Sequence, residues 1–391
     1  MMRVAYICAD PGVPVFGTKG SSVHVQEIVR AWRVAGAAVT VYCAQRGTER
    51  PADLADLDVL EVQPGPAPGP ARERAVQDAA LALVDEVLHH GCGLVYERYS
   101  LFSPALSVVA RVLDVPSVLE VNAPLIEEQQ RYRRLLDVKK AETVLRRNAG
   151  TADVVACVSE PVVRWVRHRV PAAKTVLAPN GVNVERITPR RPGRRNSGHL
   201  TVAFVGTLKP WHGVPCLLHA VALANGQAAE PHRRWRVKII GDGPGREDLE
   251  RLAASLGVEA DFTGAVPPAA VPALLDECDA AAAPYPPEAP GQDDYFSPLK
   301  VYEYMAAAMP VVASAVGQIP SIVEDGRTGI LVPPGEPASI AAALARLAGD
   351  PELRERLGDR ARAAAVERFS WNGVLSRITA ALAATRRVAV P

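Results

Sequence analysis

The 391 residues are 48% hydrophobic and 22% charged, a chain too long for one ordinary core and apolar enough for two domains of roughly 180 residues each. Lys and Arg number 44 against 43 Asp and Glu, a net charge of +1. No molecule-wide field therefore draws nucleic acid or an anionic membrane, and any anion site has to be local.

The opening MMRVAYICADPG is a short apolar run that soon meets a turn, without the longer apolar region and cleavage site of a signal peptide. No later run stays apolar for the ~18 residues of a membrane span, so the expected location is cytoplasmic. Short apolar runs then alternate with amphipathic stretches, the pattern of parallel sheets with crossover helices. The first series is RVAYICA, AVTVYCA, DVLEVQ, LVYE, SVLEV, DVVACVS and TVLAPN; the second is LTVAFVGT, WRVKIIGDG, EADFTGAV, DAAAAPY, PVVASAV and GILVPPG. This predicts an α/β chain of two doubly wound, Rossmann-like domains, 1–185 and 200–369. ITPRRPGRRNSGH, too polar to bury, is the expected linker, 186–199, and its arginines read as solvated. A final helix, 370–391, is expected to cross back towards the first domain. The basic stretch EEQQRYRRLLDVKKAETVLRRN carries mixed charges and reads as a solvated face, so peripheral membrane contact is not favoured. Six scattered cysteines without a C-x-x-C pair point to free thiols, with neither zinc nor disulfides.

Two stretches carry candidate chemistry. FGTKGSS follows the first strand and precedes a helix; its Gly17, Lys19 and Gly20 form a turn that lets backbone approach a ligand, with an ordinary loop as the competing reading. His24, one turn further, reads as structural. In SPLKVYEYM, Ser297 is the expected N-cap and Pro298 the first helical residue. The free amides of Leu299 and Lys300, the helix dipole and the Lys300 ammonium together suit a phosphate. Glu303 lies a turn deeper, within reach of a sugar hydroxyl attached to that phosphate. A surface ion pair with an arginine competes; the strand PVVASAVG that follows favours the ligand, because parallel α/β sheets bind at strand carboxyl ends.

FSPLKVYEYMAAAMPVVASAVGQIPSIVEDGRTGILVPPG resembles the donor-binding region of glycosyltransferase family 4, retaining enzymes of the GT-B fold. VLAPNGVNVERI, VAFVGTLKPWHGVPCLLHAV, VKIIGDGPGREDLERLAASLG and DFTGAVP extend the resemblance, and GTKGSSVHVQEIVRAW, YERYSLFS and LEVNAPL are similar to a bacterial subgroup. The resemblance implies two domains facing a cleft, the first for an acceptor and the second for a nucleoside diphosphate sugar, linked to UDP or GDP. It implies that Glu303 holds the ribose hydroxyls and that amides near Leu299 and Lys300 contact phosphate and sugar. Gly17, Lys19 and Gly20 become candidates for the leaving diphosphate or the acceptor.

The chain departs from the family at three places. Tyr295 stands where a first glutamate is usual, with Asp293 or Asp294 as possible substitutes. In VGTLKPWHG, Thr207 and His212 replace an arginine and a lysine that neutralise the diphosphate; Lys209 restores one cation beside Gly206, and His212 is expected to serve as the second cation or as a hydrogen-bond donor. Glu97, Arg98 and Tyr99 occupy the place of a donor-contacting histidine and, with Glu120 and Asn122, are acceptor candidates. The implied activity is retaining, metal-independent sugar transfer, with Lys209, His212 and Glu303 as the catalytic set. No resident cofactor is expected, and the partners are the nucleotide-sugar donor and an acceptor. A GT-B epimerase or phosphorylase and a non-catalytic nucleotide-sugar-binding partner are the alternatives.

Overall fold

The structure, a computed structural model, describes residues 1–190, 199–228, 234–287 and 295–386. The chain divides into two compact units. One comprises Met1–Gly17, Ser21–Asn180 and the segment from Trp371; the other comprises Gly181–Ser370, with Thr18–Gly20 grouped to it.

In the first unit the strands are β1 (Arg3–Cys8), β2 (Ala38–Cys43), β3 (Asp58–Glu61), β4 (Leu94–Arg98), β5 (Ser117–Val121), β6 (Val154–Cys157) and β7 (Thr175–Leu177). They pair in the order β3-β2-β1-β4-β5-β6-β7, every pair parallel. β1, β4, β5 and β6 are buried almost throughout, which is why their sequences run apolar without alternation. The order reverses between β1 and β4, and there the strand carboxyl ends open the crevice in which such sheets bind ligands. The helix Trp371–Arg386 packs on β6 and β7, and its last arginine pairs with Asp153 at 3.1 Å.

The second unit repeats the plan with β8 (Leu200–Val205), β9 (Trp235–Ile240), β10 (Ala260–Gly264), β11 (Ala280–Ala283), β12 (Val311–Ser314) and β13 (Ile330–Val332), ordered β10-β9-β8-β11-β12-β13 and again all parallel. Its reversal lies between β8 and β11. Two apolar clusters line the faces of this sheet, one around Phe204, Trp235 and Leu344, the other around Val301, Tyr304 and Met305.

The segment expected as a linker starts later than its composition suggests. Arg362 donates to the carbonyls of Val184 and Ile187 at 2.9 and 2.8 Å, Ile187 is fully buried, and Arg190 donates its amide to Ala307. Residues 181–190 thus belong to the second unit, since one buried isoleucine and a three-pronged arginine outweigh the polarity around them. The rest of the expected linker, 191–198, lies outside the described residues, as do Asp293 and Asp294. Cys8, Cys43, Cys157 and Cys278 are buried, Cys92 and Cys216 half-buried, and all six are free thiols. No helix among the described residues is long and apolar enough to cross a membrane, and those residues hold no cluster of metal-ligating side chains.

Candidate active site

The second unit gathers its chemistry at the β8/β11 reversal. β8 runs into Gly206, whose φ of 144° suits glycine. A Cβ there would lie 3.1 Å from Lys300 Nζ, so the missing side chain is what lets the amine reach the turn. The helix Leu299–Ala306 is fastened to the same strand end, because the Val205 amide donates to the Tyr304 hydroxyl at 2.7 Å. Lys300 Nζ sits 3.9 Å from the Phe204 ring centroid and 5.2 Å from that of Tyr285, just past β11. It makes no hydrogen bond among the described residues. Burial pulls the Lys300 pKa down to about 7, with the Glu303 carboxylate pulling weakly the other way.

Two expectations for this site need correction. Ser297 does not cap the helix: the N-cap is Pro298, with no side-chain cap, and Ser297 Oγ lies instead 3.2 Å from the Tyr302 hydroxyl. The N-cap proline brings no side-chain acceptor, so among the described residues the first amides, Leu299 and Lys300, are left for a ligand. His212 is no cation. Burial first, then the charges of Lys300 and Lys209, hold its pKa at about 3, and its Nδ1–H donates to the Thr207 carbonyl. The neutral ring then presents Nε2 as an acceptor, suited to a hydroxyl and not to a phosphate oxygen. Lys209 is exposed, its ammonium 4.8 Å from the centroid of the half-exposed Trp211 ring.

Glu303 is mostly buried and meets the partner that competed for it in sequence: Arg186 Nη2 lies 3.7 Å from its Oε1, a long contact. Arg186 also donates to the Pro268 carbonyl at 3.1 Å. It is a residue that sequence reasoning missed; the available signal was an arginine embedded in VNVERI directly after Asn180 and Gly181. Tyr295, at the position of the absent glutamate, is half-buried.

The first unit builds a different cluster at its own strand ends. Glu120 of β5 receives His24 Nε2 at 2.8 Å, the Tyr96 hydroxyl at 2.7 Å and Asn122 Nδ2 at 3.1 Å, with Arg98 Nη1 at 3.7 Å. Burial alone pushes its pKa up, but His24, Arg98 and Tyr96 outweigh it and hold the carboxyl at about 2. His24 Nδ1 lies 2.8 Å from Asn180 Oδ1, and its ring stands edge-on to Trp371.

Arg98, Glu120 and Asn122 are thus brought together, whereas Glu97 and Tyr99 are not. Side chains alternate along a strand. Glu97 therefore points to the opposite face, where it accepts the Leu106 amide at 2.6 Å and lies 3.4 Å from Asn148, and burial raises its pKa to about 7. Tyr99 is buried beside Trp165. Neither side chain joins the Glu120 cluster. Gly17 is buried, and a Cβ there would meet Ser22 Oγ at 2.8 Å and Pro14 at 2.9 Å. Packing of its own loop requires that glycine, whose carbonyl accepts from Gln26. Lys19 and Gly20 are exposed.

Residues 18–186 match the model of Glycosyltransferase Family 4, and residues 199–350 that of Glycosyl transferases group 1. A D-inositol 3-phosphate glycosyltransferase of Corynebacterium efficiens is 31% identical over 350 residues, 83% of this chain and 80% of that protein. The chain belongs to glycosyltransferase family 4. Namesakes from Streptomyces avermitilis and Streptomyces bingchenggensis are 34% and 36% identical, and there the match covers 54% and 51% of the relative, about half its length. Among solved structures, sucrose-phosphate synthase of Thermosynechococcus elongatus superposes with a TM-score of 0.73 at 20% identity, covering 97% of this chain and 98% of that one. HepE of Anabaena, solved with UDP and glucose, gives 0.72 at 20% identity over 98% and 100%. The two Rossmann-like units are those of the GT-B fold.

Proposed function

We propose that the chain is a retaining glycosyltransferase that moves a sugar from a UDP- or GDP-linked donor to an acceptor without requiring a metal ion. The observation that carries this reading is the β8/β11 cluster: Lys300, the Gly206 turn, uncapped helix amides and Glu303 meet on one unit of a family 4 chain. In this reading the diphosphate lies at the amides of Leu299 and Lys300 with the Lys300 ammonium beside it. Glu303 accepts the ribose hydroxyls, drawn off its long contact with Arg186. His212 Nε2 accepts a hydroxyl of the transferred sugar. Charge develops on the departing diphosphate, and fixed donors aimed there lower the barrier without rearranging during the step. Retention follows from the family, in which the acceptor attacks from the face that the diphosphate leaves.

UDP-glucose and GDP-linked sugars are the first donors to assay, because HepE is solved with UDP-glucose. D-inositol 3-phosphate, which the relatives' names give, heads the acceptor panel. The chain is expected to release nucleoside diphosphate only with a suitable donor, and proton NMR of the product is expected to show the donor's anomeric configuration. An inverted product, or no transfer and no hydrolysis across the panel, would contradict the proposal.

A further inference from the structure

Charge is short where the donor diphosphate is placed. Thr207 carries none, His212 is neutral, and Lys209 lies out on Trp211. Among the described residues Lys300 brings its amine to the Gly206 turn, through the space that a side chain at 206 would fill. Its surroundings are unusual for an ammonium. Phe204 offers a ring face from β8, Tyr285 one from the end of β11, and His212 stands in the 3-10 turn Pro210–His212 with no charge to give. On its own helix Glu303 contributes an attraction smaller than the effect of burial, and Arg186 Nη2 lies 3.7 Å from that carboxylate. Every donor on Nζ lacks a partner among the described residues. A buried ammonium in that state is expensive to hold, and a phosphate oxygen at the turn removes the expense by supplying both a hydrogen-bond acceptor and the opposite charge.

We propose that Lys300 is the principal cation for the donor's diphosphate in this chain, taking the role left open at Thr207 and His212, and that it takes up a proton as the diphosphate binds. The inference rests on the donor-site reading above and deepens it. Water delivers the proton to the amine nitrogen lone pair, no other bond changes, and release of the product diphosphate returns it. In the empty site the amine is about half charged near pH 7. Affinity is then strongest below that pH and falls by up to about tenfold for each pH unit above it, until the pH reaches the pKa of the bound amine.

Isothermal calorimetry with uridine diphosphate and guanosine diphosphate at pH 8, in buffers of low and high ionisation enthalpy, counts the protons. Both ligands are then fully ionised, the second phosphate pKa being about 6. Wild type is expected to take up close to one proton for each diphosphate bound. Lys300→Met, which removes an unpaired buried charge and keeps the volume, is expected to fold at least as stably, lose the uptake and bind at least about 10-fold more weakly. His212→Gln is expected to keep the uptake. Tight wild-type binding without proton uptake, Lys300→Met binding as wild type, or uptake lost in His212→Gln would each overturn the inference and leave the donor site standing. Failure of wild type to bind either diphosphate would overturn the donor-site reading itself.

Discussion

The two units share one strand order and use their strand ends in opposite ways. Around Glu120 the carboxylate is answered by hydrogen bonds from imidazole, phenol and amide, with the Arg98 guanidinium at a longer 3.7 Å. Around Lys300 an amine faces two aromatic rings and makes no hydrogen bond among the described residues. A closed network stabilises the fold and fixes its own geometry, whereas an open one sacrifices stability and gains affinity for whatever closes it. The pKa directions say the same. Glu120 is pulled down by partners and Lys300 is pulled down by their scarcity.

The sharpest way to break this contrast is to open the closed network. Glu120→Ala leaves His24 and Arg98 buried and uncompensated and is expected to lower stability by about 3–5 kcal/mol in urea unfolding. A loss below about 1 kcal/mol would show that the cluster is not a mutually dependent network. Its pH signature has a definite sign. The folded pKa of about 2 lies below the ~4.3 of an unfolded glutamate. Its stabilisation is therefore complete above pH ~4.3 and is lost as the pH falls through about 2.

On the open side, Glu303→Ala is expected to reduce kcat/KM for the donor by roughly 10- to 100-fold, the loss of ~1.5–3 kcal/mol; unchanged steady-state kinetics would remove Glu303 from the site. Lys300→Met is expected to stabilise the empty protein by roughly 1–2 kcal/mol near pH 7. The folded amine, at about 7, lies below the ~10.4 of an unfolded lysine. The unfolded chain thus holds more protons between those values, wild-type stability rises with pH across that window, and the gap to the variant closes. A variant less stable than wild type would mean that Lys300 is already paired. The smallest effect is expected at Lys209, exposed on Trp211: Lys209→Ala should weaken diphosphate binding by no more than about threefold, and less at high salt. A larger loss would place the main cation there.

The thirteen apolar runs in the sequence correspond to the thirteen strands of the described residues, most plainly where the strands are buried on both faces and therefore run apolar without alternation. The helix bearing Glu303 was legible for a related reason, since an apolar face frames its few polar residues. What escaped the sequence depends on neighbours that it does not list side by side. Arg186 meets Glu303 only through folding. The neutrality of His212 follows from burial and from two lysines, one of them on another element. Glu97 and Tyr99 were grouped with Arg98 by adjacency, although strand alternation turns them to the other face. Ser297 looked like a cap because serine before proline commonly is one, yet here the helix begins one residue later.

A crystal structure of the chain with bound uridine or guanosine diphosphate bears most directly on the donor site. The account predicts phosphate oxygens within about 3 Å of Lys300 Nζ and of the Leu299 and Lys300 amides, with the ribose hydroxyls on Glu303. A diphosphate held elsewhere, or Glu303 still turned to Arg186 with the ribose out of its reach, would contradict it.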